Sequence, residues 1–93
     1  MIKSFSNKET EKIFNREISQ KLSGDIQRTA LRKLLLIDAA VNLNDLRVPP
    51  GNRLEKLTGN LKGKYSIRIN NQYRIIFEFE DGNAYKVEII DYH

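Results

Sequence analysis

From Gly63 onward apolar side chains alternate with polar ones: Tyr65, Ile67 and Ile69, then Tyr73, Ile75, Phe77 and Phe79, then Tyr85, Val87 and Ile89. A period of two belongs to strands with one face buried and one face wet. The alternation breaks at Asn70-Asn71-Gln72 and at Asp81-Gly82-Asn83, residue types that favour tight turns. This part of the chain therefore reads as a three-stranded antiparallel meander, and its apolar face needs a cover.

The upstream half supplies one. Ile26, Ala30, Leu34, Ile37 and Val41 recur at three- and four-residue spacing, with Leu31 and Leu35 widening the stripe, so a helix beginning at Asp25 as N-cap is expected to bury one face. Asn42, Asp45 and the Pro49-Pro50 pair should end it, since proline lacks an amide donor and disfavours helix at the residue before it. A shorter helix is expected after Ser6, where Ser6-Asn7-Lys8-Glu9 has the form of a capping box and Ile13, Phe14 and Ile18 form a stripe. Ile2 to Phe5 reads as a short strand, and residues 47–63 read as a loop. The expected class is α+β in a single domain over residues 1–93. Two N-terminal helices pack on one face of a small, mainly antiparallel sheet, made of the short N-terminal strand and the meander.

Register sharpens the reading. Pairing Ile69 with Tyr73, Ile67 with Ile75 and Tyr65 with Phe77 gathers six apolar side chains on one face and sets Arg68 opposite Arg74 on the other. Like charges directly opposed across strands are destabilising. Either an external anion shared by two guanidinium forks offsets them, or Glu78 or Glu88 does. Continuing the register pairs Phe79 with Tyr85, Phe77 with Val87 and Ile75 with Ile89. Ile90 then faces Arg74, and Tyr92 falls on the arginine face.

Charge is unevenly spread. The chain carries a net +4, yet from Arg47 to Arg74 seven basic residues face a single acid, Glu55, for a net +6, leaving the remainder at −2. Arg47, Arg53, Lys56, Lys62, Lys64 and Arg68 are thus candidate contacts to a phosphate backbone. No apolar run reaches the roughly 20 residues of a membrane span. The start resembles no secretory signal, and there is no cysteine, so a cytoplasmic protein without disulfides or thiolate metal sites is expected.

The closing Asp91-Tyr92-His93 brings the only histidine. One histidine supports neither a Ser-His-Asp hydrolase nor an ordinary zinc site, so no metal or cofactor is expected. Cleavage of RNA by its own ribose 2′-hydroxyl needs only a base, an acid and cations for the phosphate. Asp91, Tyr92, His93, Arg68 and Arg74 have the chemistry for those parts, imidazole being the natural proton carrier at neutral pH. The bland alternative is an inert chain end beside a solvated basic face.

The run Pro49-Pro50-Gly51-Asn52-Arg53-Leu54-Glu55-Lys56-Leu57-Thr58-Gly59, the strands Tyr65-Ser66-Ile67-Arg68-Ile69-Asn70 and Gln72-Tyr73-Arg74-Ile75, the closing Asp91-Tyr92-His93 and the opening Met1-Ile2-Lys3-Ser4-Phe5 together resemble the HigB toxins of the RelE/ParE superfamily. The similarity spans essentially the whole chain. It implies a toxin of a type II toxin–antitoxin pair, a ribosome-dependent endoribonuclease that enters the A site and cuts messenger RNA. It also implies a helix-turn-helix antitoxin, through which alone operator DNA is bound. By position the resemblance makes Arg74 the phosphate stabiliser and Asp91, Tyr92 and His93 the remaining catalytic residues. Some HigB-like RNases have a histidine and a lysine where this chain has Glu55 and Thr58. Glu55 is therefore a candidate carboxylate base and Lys56 a candidate phosphate contact. The superfamily also includes gyrase-directed toxins of similar fold, so a non-catalytic toxin is the alternative.

Overall fold

The computed structural model describes residues 1–92. Helices α1 (Lys8–Phe14) and α2 (Gly24–Ala39) precede strands β1 (Glu55–Lys56), β2 (Tyr65–Arg68), β3 (Tyr73–Glu80) and β4 (Asn83–Asp91). The strands form one antiparallel sheet in the order β1-β2-β3-β4. His93 lies outside the described residues.

Both helix starts differ by one or two residues from the expected caps. Asn7, not Ser6, caps α1, its Oδ1 accepting from the Thr10 amide at 2.9 Å. The Ser6 hydroxyl instead donates to the Lys86 carbonyl. Ser23, not Asp25, caps α2 by accepting from the Ile26 amide, while Asp25 pairs with Arg28. In each case two competent acceptors stand close together, and the one with extended backbone takes the cap. Helix α1 stops at Phe14, Arg16 having a positive φ of 63°, so Ile18 falls beyond it and is exposed. Helix α2 stops at Ala39, leaving Val41 exposed as well. Asp45 does help end α2, its carboxylate accepting the amides of Val41 and Asn42.

The core lies between helices and sheet: Ile13, Ala30, Leu34 and Ile37 meet Ile67, Ile75, Phe77, Ala84 and Val87. Thr10, fully buried on α1, ties helix to sheet by accepting the Ile89 amide at 2.9 Å. The first hairpin has the expected register, Tyr65 opposite Phe77, Ile67 opposite Ile75 and Arg68 opposite Arg74. Its turn is closed by Asn70 Oδ1, which accepts the amides of Gln72 and Tyr73, the local side-chain mimicry for which asparagine suits turns.

The second hairpin corrects the expected register. Ile75 faces Ile89 and Arg74 faces Ile90, but the ladder shifts by one residue between Ile76 and Glu78. Tyr85 therefore pairs with Glu78 rather than Phe79, and Phe79 pairs with Ala84. The extra residue is in β4, where Lys86 has a φ of 54°, a β-bulge that moves everything beyond it to the opposite face. Ala84 is consequently fully buried. The turn is a two-residue one, Asp81 and Gly82 with φ 52° and 78°, the left-handed geometry for which Asp-Gly is favoured.

Two further differences concern short strands. Residues 2–5 run parallel to β4 through two isolated bridges, Ile2 with Ala84 and Phe5 with Val87, rather than as a continuous strand. Within the expected 47–63 loop, Glu55 and Lys56 pair with Ser66 and Tyr65 as β1. Among the described residues no helix is long and apolar enough to cross a membrane.

Candidate functional site

The helices cover one face of the sheet, and Ser66, Arg68, Arg74 and Glu55 occupy the other by strand parity. Arg74 is the centre of this far face, with only 6% of its surface exposed. Its Nε donates to Ser66 Oγ at 2.8 Å and its Nη2 to the Arg53 carbonyl at 2.6 Å. Nη1 lies 3.8 Å from the Glu55 carboxylate, too far for a hydrogen bond but close enough for strong attraction. The Tyr92 ring lies across the guanidinium, its centroid 5.4 Å from Cζ, in range for a cation–π contact. Two edges of the fork are thus fixed inward, and Nη1 points to a half-exposed carboxylate.

Each partner is placed by a local feature. Ser66 is brought beside Arg74 by the β2–β3 register, and Glu55 is set across from Ser66 by β1. The Arg53 carbonyl is aimed by a left-handed residue, φ 46° and ψ 56°, following the turn at Pro50–Asn52. Asn52, fully buried, holds that turn by donating from Nδ2 to the carbonyls of Leu46 at 3.1 Å and Val48 at 3.3 Å. Its Oδ1 accepts from Lys33 Nζ, a lysine on α2 that is 6% exposed. Burial, then the positive charges of Arg32 and Arg68, push the Lys33 pKa down from its usual value.

The opposed arginines are relieved in a way the sequence reading did not anticipate. Arg68 leans to the hairpin turn, its Nη2 donating to Asn71 Oδ1, while Arg74 leans the other way to Ser66 and Glu55. The two forks do not converge on one point. Neither Glu78 nor Glu88 neutralises them: Glu78 pairs with Lys86 and Glu88 accepts from Asn7. The counter-charge is Glu55, from the segment expected to be a loop.

The remaining candidates are more dispersed. Tyr92 joins Arg74 as strand parity anticipates, but Asp91 is opposite Tyr73 on the helix side of the sheet and accepts from Gln72 Nε2 at 3.1 Å. Arg47 is exposed and donates to Asn44 Oδ1. Lys56, opposite Tyr65, falls on the face away from Arg74. Lys62 is exposed and Lys64 half-buried in the turn before β2. Sequence reasoning missed Ser66, Asn52 and Lys33. Ser66 was detectable, as the small polar residue that the correct register sets diagonal to Arg74. Among the described residues no three His, Cys, Asp or Glu side chains are grouped to hold a metal ion.

Comparison with known proteins agrees with this fold. Residues 3–93 match the profile of a family described as RelE-like toxin of type II toxin-antitoxin system HigB. Toxin HigB-1 of Vibrio cholerae is 46% identical over 85 residues, covering 90% of each chain. Endoribonuclease HigB of Proteus vulgaris is 33% identical over the full length of both chains. Among solved structures, YoeB in the heterotetrameric YoeB-YefM toxin–antitoxin complex of Staphylococcus aureus superposes with a TM-score of 0.64 at 26% identity, covering 100% of this chain and 95% of that one.

Proposed function

This chain belongs to the HigB-like family of RelE-type endoribonuclease toxins of type II toxin–antitoxin systems, and from that premise we propose that Arg74, Glu55 and the closing triplet cut messenger RNA in the ribosomal A site. The observation that carries the site assignment is the pairing of a buried, fixed guanidinium with a half-exposed carboxylate 3.8 Å away, at the open side of the fork. A scissile phosphate at Nη1 has the cation it needs as negative charge grows on its oxygens, and Glu55 stands beside it as base.

The ribose 2′-hydroxyl loses its proton to Glu55 as O2′ forms a bond to phosphorus. The bond from phosphorus to the 5′ oxygen breaks, and that oxygen takes a proton from the terminal triplet, with His93 as donor. The products are a 2′,3′-cyclic phosphate and a 5′-hydroxyl. Tyr92 contributes its ring, which holds the guanidinium on one side and offers a stacking surface to a base. Arg68, Arg47, Arg53, Lys62 and Lys64 guide the polyanion. Asp91, bonded to Gln72, steadies the end of β4. A helix-turn-helix antitoxin neutralises the toxin in the cytoplasm, and operator DNA is bound through that partner alone.

The test is controlled expression of the wild type beside Glu55→Gln, Arg74→Ala and His93→Ala, with growth and new mRNA 5′ ends followed together. The expected result is codon-phased cuts inside translated regions that vanish in the variants. Growth arrest with no cuts would overturn the nuclease reading and favour a non-nucleolytic target such as gyrase.

A further inference from the structure

Lys33 is an oddity among the charged residues. It is on α2, 6% exposed, and its partner is not a carboxylate but Asn52 Oδ1. Asn52 is fully buried and spends its whole side chain: Oδ1 accepts from Lys33, and Nδ2 donates to both the Leu46 and Val48 carbonyls. Such groups are costly to bury unless every donor and acceptor is used. Apolar side chains would fill the space without that cost, so the arrangement serves geometry. The residue after Asn52 is Arg53, held in the left-handed region, whose carbonyl accepts from Arg74 Nη2 at 2.6 Å. Two residues further on is Glu55, 3.8 Å from Nη1.

We propose that Lys33 and Asn52 are positioning residues for the nuclease, pinning residues 46–53 to α2 so that the Arg53 carbonyl and Glu55 hold opposite edges of the Arg74 guanidinium. Neither touches the scissile phosphate. Their effect passes through the backbone of the turn, and it links the helical half of the molecule to the cleavage site. The proposal rests on the RNase reading above. Small displacements of a catalytic group cost rate rather than affinity.

The experiment uses the full chain with Lys33→Met, which keeps the aliphatic stem and removes the ammonium, and Asn52→Asp, which keeps the shape and the Lys33 contact but loses both donations to carbonyls. Two readouts run in parallel. One is mRNA cleavage on programmed ribosomes, resolved into kcat and KM. The other is NMR of the Arg74 guanidinium in the free protein, which requires no ribosome. Folding of each variant is checked by thermal unfolding, and Asn52→Asp alone decides if Lys33→Met does not fold. The expected result is a fall in kcat of about 10- to 100-fold with KM within about twofold. The separate Arg74 Nη resonances should merge as rotation is released. A folded variant with unchanged kcat, or with unchanged Nη signals, overturns the proposal. Wild-type protein that fails to cleave sinks the nuclease reading instead, and the NMR arm still decides whether the pair positions Arg74.

Discussion

A guanidinium with 6% exposure survives burial only because its donors are engaged, and each partner of Arg74 makes a separable contribution. Ser66 Oγ is its inner anchor. Ser66→Ala should cost about 1–3 kcal/mol of stability, seen in urea unfolding, and lower cleavage about tenfold. Tyr92 meets Arg74 through its ring face, and in the proposed mechanism the ring is what it contributes. Tyr92→Phe should therefore keep cleavage within about threefold of wild type while Tyr92→Ala loses tenfold or more, a cation–π contact being worth about 0.5–2 kcal/mol. Equal loss in both would assign the hydroxyl a proton-transfer role. Lys33 offers a test by pH. Its pKa is pushed down in the folded protein by burial and by Arg32 and Arg68, so in the window below the ordinary lysine value the unfolded chain binds more protons than the folded one. Stability should then rise with pH towards about 10.5. Lys33→Met should flatten that rise, as measured by denaturant unfolding at successive pH values.

At the level of elements, the bulge in β4 decides which side chains reach the core. Lys86 has a positive φ, and its amide and carbonyl are engaged by the hydroxyls of Ser4 and Ser6. Lys86→Gly should leave stability unchanged or raise it by up to about 1 kcal/mol, while Lys86→Val should lower it by about 1–2 kcal/mol. Thermal unfolding of the two variants reads the difference directly. This bulge also shows where sequence reading stops. The first hairpin was legible because its alternation admits only one register that buries all six apolar residues. In the second, Ala84 and Tyr85 are both acceptable inward residues, so a one-residue shift leaves no mark in the hydrophobic pattern. The helix caps were ambiguous for a similar reason, Ser6 against Asn7 and Ser23 against Asp25. Arg74 was legible from strand parity. Its cage was not, because Arg53 contributes a backbone carbonyl and β1 is only two residues long.

Across the whole molecule the two faces of the sheet divide the work. The helical side buries the core, and the far side carries Ser66, Arg74, Arg68 and Glu55. A net +6 over residues 47–74 against −2 elsewhere concentrates the positive charge in one segment of the chain, so polyanion binding should depend on a few cations there and not on the overall charge. Association of the Glu55→Gln protein, which the proposed mechanism expects not to cleave, with programmed ribosomes, measured from low to moderate salt, distinguishes these cases. Each of Arg47, Arg53, Lys62 and Arg68 that neutralises an RNA phosphate should, when changed to alanine, reduce the slope of log affinity against log salt by about 0.7. Lys8, Lys12 and Lys21, which line a groove beside α1 with Leu22, Tyr73 and Ile89, should leave the slope unchanged. If instead all seven substitutions reduce it equally, binding follows net charge alone, and the far face loses its claim to be the RNA-binding surface.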